Sequence, residues 1–285
     1  MRFAEKAGLR ILPNPLEKDA VCPMCKSSVI GKCGQIKVWH WAHKTSEDCD
    51  SWGGRETDWH LNWKAEFPQE TQEVTIEKCD CEMCAPVTCN HNHSYPCAIK
   101  IHRADVKIKD IVLEFQSSSI SSEQIREREE FYGKMKWILN GETFAKNLNI
   151  FPKKGFYSFK WKYLPKSWLA ANSPIYIDLS SMKSELINEI KRYSDGEKHY
   201  SSYTEESWEW EDDDGNIRDS QFPNYIKQTY EDTKEYLQKL NKKLDVLMSK
   251  DIFLVKKLYD KGTGWGVFIS KEDFIRECKD GYYRN

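Results

Sequence analysis

The sequence lacks any apolar run of about 18 residues, so we expect no transmembrane helix. Its opening stretch, MRFAEKAGLRILPNP, also lacks the apolar core of a signal peptide, and we therefore expect a cytoplasmic protein. A basic excess is missing too. The formal net charge of −2 gives no chain-wide positive field for nucleic acid, although it leaves room for a local basic channel. The 285 residues, with 11 Trp and 12 Phe, can still bury a sizeable core.

Cysteine is abundant for a cytoplasmic chain, where disulfides rarely persist. Nine of the ten cysteines precede residue 98, together with most of the histidines, and this clustering points to zinc. A two-residue gap in Cys-Pro-Met-Cys lets both thiolates face one metal ion. The predicted ligands are Cys22, Cys25, His43 and Cys49, with His40 as the alternative to one of the last two. A strand over 34–39 is predicted between the two ligand pairs.

A second dense cluster lies between residues 79 and 97. It has little apolar sequence of its own, which favours a metal ion as the organising element. The best zinc-binding pair is Cys81-x-x-Cys84, with Cys89 and Cys97 as partners. The whole set of candidate ligands is Cys79, Cys81, Cys84, Cys89, His91, His93 and Cys97. A redox-labile loop is the alternative interpretation.

Two short apolar runs, 104–108 and 111–115, flank a polar pair and predict a β-hairpin. Asp105 lies on the first strand and Glu114 on the second, and Gln116 shares the face of Glu114 because strand side chains repeat every two residues. Two carboxylates aimed at one face make a poor core. They can instead hold Mg²⁺ or Mn²⁺, which prefer oxygen ligands. The alternative is a solvated sheet edge with scattered charges.

Residues upstream of the hairpin predict a helix over 54–67. Glu56, His60 and Lys64 recur every four residues and therefore line one face of it. An ordinary solvated helix face has the same pattern and is the alternative. Together with further segments of regular periodicity, the predicted order is α-β-β-β-α-β, in a mixed α/β (α+β) fold. Those segments are strand 71–78, hairpin 100–116, helix 121–133 and strand 135–139.

The hairpin resembles the active hairpin of PD-(D/E)XK nucleases, which carries an Asp on one strand and Glu-x-Lys on the next. The combination of R-A-D-V, E-F-Q-S and the following helix is similar to the nuclease domain of the CoiA-like family of competence proteins. The C-P-M-C and H-W-A-H segments resemble that family's C-P-x-C and H-F-A-H motifs, and E-T-x-x-H-x-x-x-K resembles its E-S-x-x-H-x-x-x-K. Two positions depart from the pattern: Gln116 replaces Lys, and Thr57 replaces Ser.

The resemblance implies a metal-dependent nuclease that hydrolyses phosphodiester bonds, in DNA rather than RNA. Asp105, Glu114 and the carbonyl of Phe115 would then hold Mg²⁺ or Mn²⁺. Glu56 would assist through the metal or through water. Gln116 would orient the attacking water, and Lys64 or Lys107 would supply the positive charge that Gln116 lacks. The zinc sites would be structural. The side chains expected to contact nucleic acid are His60, Arg103, Arg126 and Arg128.

The Glu-x-Gln departure supports a rival interpretation, a nuclease fold that binds nucleic acid without cutting it. The expected biological settings are DNA uptake and processing or defence against foreign DNA. Neither interpretation predicts an oligomeric state.

The whole sequence is expected to divide into three segments: a zinc-ribbon-like segment 1–52, the nuclease-like core 53–145, and a C-terminal α/β region 146–285. This last region is a candidate surface for a protein partner. In it we expect strands near 156–161 and 174–179, a helix over 228–249, and an acidic loop over 194–222. Its aromatic and basic segment KWKYLPKSW is compatible with base stacking, although a packed sheet with one solvated face explains it as well.

Overall fold

The computed structural model describes residues 1–17, 19–35, 38–44, 49–52, 56–79, 99–205, 208–211, 217–220, 224–248 and 250–280, with side chains omitted over 195–230. The chain divides into two compact units. The first comprises Met1–Asn140, Pro165–Tyr176 and Glu272–Asn285, and the second comprises Gly141–Leu164 and Ile177–Lys271. The predicted boundaries near residues 52 and 145 concern functional segments and stay a prediction.

The first unit begins with a five-stranded antiparallel sheet in the order β2-β1-β3-β4-β5. Its strands are β1 (Ala4–Lys6), β2 (Leu9–Ile11), β3 (Ala20–Val21), β4 (Ser28–Lys32) and β5 (His40–His43). A small core of Ala4, Ala20, Cys22, Val29 and Trp41 holds the sheet together. Of the predicted strand over 34–39, residues 34, 35, 38 and 39 lie outside any strand, and residues 36 and 37 are not among the described residues. The strands flank that segment because Val29 and Trp41 are the residues that enter the core.

The nuclease-like elements of the first unit follow. They are α1 (Asp58–Ala65), β6 (Gln72–Cys79), β7 (Ile99–Ile108), β8 (Ile111–Gln116), α2 (Ser122–Tyr132) and β9 (Met135–Asn140). The neighbouring strands run in the order β9-β8-β7-β6, with β8 parallel to β9 and the other pairs antiparallel. The predicted α-β-β-β-α-β order and the mixed fold class are confirmed.

Local sequence explains where these elements begin and end. The hydroxyl of Ser121 accepts from the Gln124 amide and caps α2. Gly133 ends that helix in a left-handed conformation, with φ of 73°. Helix α1 is shorter than the predicted 54–67, because its N-cap Thr57 is extended and it stops before Pro68. All six residues of β8 are buried, so Glu114 is held within the sheet.

The second unit carries α3 (Gly141–Phe144), β10 (Leu148–Pro152) and β11 (Tyr157–Trp161). The next element, β12 (Ile175–Asp178), runs across the boundary between the units. The elements that follow are α4 (Ser180–Glu205), β13 (Trp208–Glu211), β14 (Ile217–Ser220), α5 (Asn224–Leu247), β15 (Ile252–Leu258) and β16 (Thr263–Ile269). Strands β10, β11, β16 and β15 are consecutive neighbours, and α6 (Lys271–Asp280) closes the chain.

The elements predicted for residues 146–285 are confirmed in part. The strands near 156–161 and 174–179 and the helix over 228–249 correspond to β11, β12 and α5. Within the described residues of 194–222 the predicted acidic loop is wrong, since α4 continues to Glu205 and β13 pairs with β14. The acidic run 212–214 falls outside the described residues. Helix α4 is anchored by the buried side chains of Met182 and Leu186, a signal that the polar, Ser-rich composition obscured. No helix in the described ranges is long and apolar enough to span a membrane.

Candidate active site and metal centre

A cavity of about 230 Å³ opens in the first unit and is lined by residues of α1, β6, β7 and β8, among others. Its wall contains five carboxylates and three basic side chains, together with Trp52, His60, Phe115 and Gln116. The charged residues are Asp50, Glu56, Glu73, Asp105, Glu114, Lys64, Arg103 and Arg128. The cavity therefore gathers nearly all the predicted catalytic side chains in one place.

The backbone ladder between β7 and β8 stops where the two predicted metal-binding carboxylates face each other. Its last pair is Val106 with Leu113. Beyond that pair, the Phe115 amide donates to Asp105 Oδ2 at 2.9 Å, and the Asp105 amide donates to Glu114 Oε1 at 3.3 Å. The carboxylates thus replace backbone carbonyls as acceptors, and both side chains are fixed between the strands.

Glu73 is a cavity carboxylate that sequence reasoning missed. It lies on β6, where its neighbours Gln72 and Val74 pair with Val106 and Ala104 across the ladder. Its backbone is left-handed, with φ of 47°, a conformation that costs a non-glycine residue free energy. The strain places the buried carboxylate where it accepts from the Arg2 amide at 3.0 and 2.8 Å. A charged residue in an alternating strand pattern carries no mark of such a backbone conformation.

Lys64 lies at the centre of the cluster. Its ammonium nitrogen is 2.6 Å from Glu56 Oε1, 3.2 Å from Glu73 Oε1 and 3.0 Å from Asp105 Oδ1. The side chain is 4% exposed. Burial acts to lower the pKa of Lys64, but Asp105, Glu73 and Glu56 together hold it above its usual range, so the group stays charged. The four-residue spacing predicted Glu56 and Lys64 on one helix face; Glu56 instead precedes α1, but Lys64 reaches it together with two further partners.

The two hairpin carboxylates have opposite electrostatic environments. Burial, and then the charge of Asp105, raise the pKa of Glu114 to about 7, against the influence of Arg128. Burial also acts to raise the pKa of Asp105, but Lys64 and then His60 hold it below its usual value. Because Glu114 is crowded by a like charge in a buried site, a cation placed between the two carboxylates would relieve that repulsion.

His60 supports the hairpin from α1. Its Nε2–H donates to the Phe115 carbonyl at 3.0 Å, and Nδ1 accepts from the Thr57 hydroxyl at 2.8 Å. Burial lowers the pKa of His60, so the neutral ring with its proton on Nε2 is favoured. Both nitrogens are engaged with protein groups. The structure thus gives His60 the task of orienting the Phe115 carbonyl.

The predicted basic residues divide into two groups. Arg128 Nη1 donates to Glu114 Oε2 at 2.9 Å, and Nη2 donates to the Trp52 carbonyl at 3.0 Å. Arg103 also lines the cavity, where burial opposes its charge but Glu73 and Asp50 raise its pKa. Arg126 is exposed on α2 and is absent from the cavity wall. Gln116 Nε2 donates to the Ser118 carbonyl and hydroxyl.

Four side chains meet in a second site at the N-terminal sheet. The ligand atoms of Cys22, Cys25, His43 and Cys49 all lie within 4.8 Å of one another. Cys22 Sγ is 3.6 Å from Cys49 Sγ, and Cys25 Sγ is 3.3 Å from His43 Nε2. Three thiols and one imidazole at these separations fit a tetrahedral ion such as zinc. The tight turn after Cys22 and the β4–β5 pairing bring the two halves together.

The thiols of this cluster differ in proton affinity. Burial opposes ionisation of Cys25, but hydrogen bonds from Ser27 and His43 lower its pKa to about 6. Burial and the adjacent Cys22 raise the pKa of Cys49 to about 12. Unequal pKa values are expected for thiols that lie close together, because ionisation of one disfavours ionisation of its neighbours. A bound metal ion would displace the thiol protons that remain.

The other predicted zinc ligands lie elsewhere. His40 is on β5 but outside the cluster, and its Nδ1 lies 2.8 Å from the Val38 carbonyl. Cys79 ends β6. The remaining candidates of the second cluster fall outside the described residues: Cys81, Cys84, Cys89, His91, His93 and Cys97. Within the part of the chain that the structure describes, no other group of three or more such side chains brings its ligand atoms this close.

Asp50 and Trp52 also line the cavity and were missed. They directly follow Cys49, so the sequence placed them in a zinc-binding segment and carried no sign that they reach the β7 strand. Their exposure to the cavity depends on how the N-terminal sheet packs, which is a tertiary property. No motif spacing reports it.

Comparison with known proteins gave two family matches. Residues 15–51 match the N-terminal domain of competence protein CoiA, and residues 98–204 match the nuclease-like domain of the same protein. The first match holds all four clustered metal-ligand candidates, and the second holds Asp105, Glu114 and Arg128. No curated protein and no solved structure matches the chain. Together the matches cover about half of the chain in the order expected, and the chain therefore belongs to the CoiA-like family of competence proteins.

Proposed function

We propose that the protein is a metal-dependent nuclease that hydrolyses phosphodiester bonds, most simply in DNA. The observation that carries the proposal is the break in the β7–β8 ladder, where Asp105 and Glu114 face one cavity with Lys64 beside them. The CoiA nuclease-like match over residues 98–204 supports a nuclease-type function. A cavity of this kind can position a phosphate, a water molecule and a divalent cation together.

Mg²⁺ or Mn²⁺ fits the donor set of this cavity. Asp105, Glu114 and the Phe115 carbonyl offer the oxygen ligands that such ions prefer. The wall carries five carboxylates against three basic side chains and the amino group of Met1, so a divalent cation would meet an excess of carboxylates there. Burial and then the charge of Asp105 raise the pKa of Glu114 to about 7, and a cation beside Glu114 would offset both. Glu56 lies close enough to Lys64 to act through that group or through water.

A divalent cation bound there supplies Lewis acidity, lowering the pKa of water and offsetting charge on phosphate oxygens. The protein's own side chains do the rest. Lys64 provides the fixed positive charge that Gln116 lacks, next to Asp105. The Gln116 amide nitrogen is held by Ser118, which leaves its oxygen to accept from an attacking water. His60 sets the orientation of the Phe115 carbonyl.

Arg128 is the best candidate for a phosphate contact. Its two terminal nitrogens are held by Glu114 and Trp52, while its buried Nε has no hydrogen-bond partner among the described residues. A guanidinium with donor capacity left at a cavity wall is suited to a phosphate oxygen. Arg103 adds a second positive charge at the same wall. Arg126, on the exposed face of α2, could contact nucleic acid only outside the cavity.

We further propose that Cys22, Cys25, His43 and Cys49 hold a structural zinc ion. Four protein ligands close the coordination sphere, as is usual for structural rather than catalytic sites. The clustered residues 79–97 remain a candidate for a second zinc. A cytoplasmic location, a role in DNA uptake or defence, and a protein partner for residues 146–285 likewise stay proposals.

One observation favours a second function, nucleic-acid binding without hydrolysis. The position that carries Lys in the Glu-x-Lys motif is Gln116, and a neutral amide cannot stabilise developing charge as an ammonium does. Lys64 supplies an ammonium from α1 instead, so we favour the nuclease.

We predict metal-dependent cleavage that is lost with either hairpin carboxylate. The wild-type chain should cut labelled DNA in Mg²⁺ or Mn²⁺ but not in EDTA. Asp105→Ala and Glu114→Ala should each lower the rate at least ~100-fold, because each removes a metal ligand. Single- and double-stranded DNA and RNA, tested in parallel, identify the substrate.

The matched control is Asp110→Ala, which removes a carboxylate at the turn of the same hairpin, exposed and paired with Lys134. It should cut like the wild type. If no form of the protein cuts any substrate while oligonucleotide affinity persists, hydrolysis is excluded and the binding function takes its place.

The raised pKa of Glu114 predicts how stability depends on pH. Without divalent metal, the folded state keeps the Glu114 proton up to about pH 7, whereas the unfolded state releases it near 4.5. The contribution of Glu114 to the free energy of unfolding is therefore present below that window and falls as pH rises through it, by at most about 3 kcal/mol. The pKa of Glu73 is lowered to about 2, so its contribution to the free energy of unfolding is instead lost as pH falls toward that value.

Urea denaturation of the wild type and Glu114→Gln across this pH range isolates the effect. The wild type should lose stability relative to Glu114→Gln from pH 5 to pH 7, because Gln mimics the protonated carboxyl and does not titrate, and Mn²⁺ should flatten the wild-type curve. Parallel curves for the two proteins would contradict the assignment.

The zinc proposal predicts a change in metal content. Cys25→Ser should purify with about one zinc ion fewer per chain, because it removes one of four ligands. Cys33→Ser, a nearby cysteine outside the cluster, is the matched control and should keep its zinc. Mass-spectrometric metal analysis decides, and equal zinc contents in both variants would remove Cys25 from the ligand set.

A further inference from the structure

Residues 50–52, which we call the connecting segment, join the two sites of the first unit. The segment begins directly after Cys49, one of the four clustered metal-ligand candidates. All three of its residues, Asp50, Ser51 and Trp52, line the cavity that contains Asp105 and Glu114. A single peptide bond therefore joins Cys49 of the Cys₃His cluster to Asp50 on the cavity wall, so a displacement of Cys49 also displaces the wall.

Asp50 fastens the segment to β7. Its carboxylate is 5% exposed. Oδ1 accepts from His102 Nδ1 and from the Trp52 amide, both at 3.0 Å. Oδ2 accepts from the Arg103 amide at 3.0 Å. Arg103 is two residues before Asp105, so the anchor lies next to the strand position that the nuclease needs.

Trp52 fixes Arg128. Its indole stacks on the His102 ring, with centroids 3.3 Å apart and planes 5° from parallel. The Arg128 guanidinium lies 5.5 Å from the indole centroid, and Nη2 donates to the Trp52 carbonyl. The same guanidinium reaches Glu114 through Nη1. Trp52 thus determines where the proposed phosphate-binding group sits.

We propose that Asp50 and Trp52 are positioning residues that make nucleic-acid binding in the cavity depend on a metal ion at Cys22, Cys25, His43 and Cys49. A bound ion fixes Cys49, which fixes the connecting segment and hence Arg128. Without the ion, Cys49 keeps its packing against the core of the N-terminal sheet, but its thiol has only weak contacts within the cluster, such as the 3.6 Å approach of Cys22 Sγ. The proposal rests on nucleic-acid binding at the cavity and adds its control by the second site.

The test measures binding, not cutting. The full-length chain carries Asp105→Ala, which prevents hydrolysis, and binds labelled DNA over a series of salt concentrations. Removing zinc with a chelator should weaken binding at least about tenfold and lower the slope of log K against log salt by about one, which is the loss of one phosphate contact. Arg128→Ala in the same background gives the reference slope.

Asp50→Asn and Trp52→Ala should reproduce both effects while retaining zinc. Chelation of these variants should then weaken binding less than about threefold, because the link from the zinc site to Arg128 has already been removed. Asp19→Asn, an exposed carboxylate in the same N-terminal region, is the matched control and should bind like the parent. Substitution of a residue needed only for folding would not lower the slope of log K against log salt by about one, the value for one phosphate contact. If Asp50→Asn fails to fold by circular dichroism, Trp52→Ala decides alone.

Chelation that weakens the parent and both variants equally would overturn the proposal, as would wild-type binding by either zinc-loaded variant. These results are separable from the nuclease question. A chain that never cuts but shows the zinc-dependent slope refutes the nuclease alone. A chain that cuts and binds equally well without zinc refutes this inference alone.

Discussion

The cavity depends on one buried ammonium group. Lys64 is the shared partner of carboxylates from three different parts of the first unit: Glu56 before α1, Glu73 on β6 and Asp105 on β7. A buried charge is tolerated only with partners of this kind, and removal of one partner leaves an uncompensated charge that costs several kcal/mol. The lysine therefore holds the helix against the sheet and fixes three acidic groups before any ligand binds.

The N-terminal sheet is a structural part of this site. The Arg2 amide donates to the strained Glu73, and Asp50, next to the metal-ligand candidate Cys49, accepts from the Arg103 amide. Each contact replaces a water molecule or a ladder bond at the edge of the nuclease-like strands. The Cys₃His cluster and the carboxylate cavity are thus joined by residues 50–52, which follow Cys49 and line the cavity.

The sequence predicted the parts of the site that are local in the chain. Period-two alternation placed Asp105 and Glu114 on one hairpin, and four-residue spacing placed His60 and Lys64 on one helix face. The Cys-x-x-Cys pair and the later His43 and Cys49 also lie together as expected. What sequence could not supply is contact between distant segments. Glu73 depends on a left-handed backbone conformation within β6, and Asp50 and Trp52 depend on how the N-terminal sheet packs. Residues 34, 35, 38 and 39, predicted as strand, lie outside β4 and β5 for the same reason, because Val29 and Trp41 are the residues that enter the core.

The most direct test of the account is to locate Mn²⁺ by its anomalous scattering in crystals of the zinc-loaded protein. We predict Mn²⁺ between Asp105 and Glu114, in contact with the Phe115 carbonyl, and Lys64 still paired with Glu56 and Glu73. If saturating Mn²⁺ leaves that position empty and binds only elsewhere, the carboxylates serve to bury Lys64, and the cavity is no catalytic metal site.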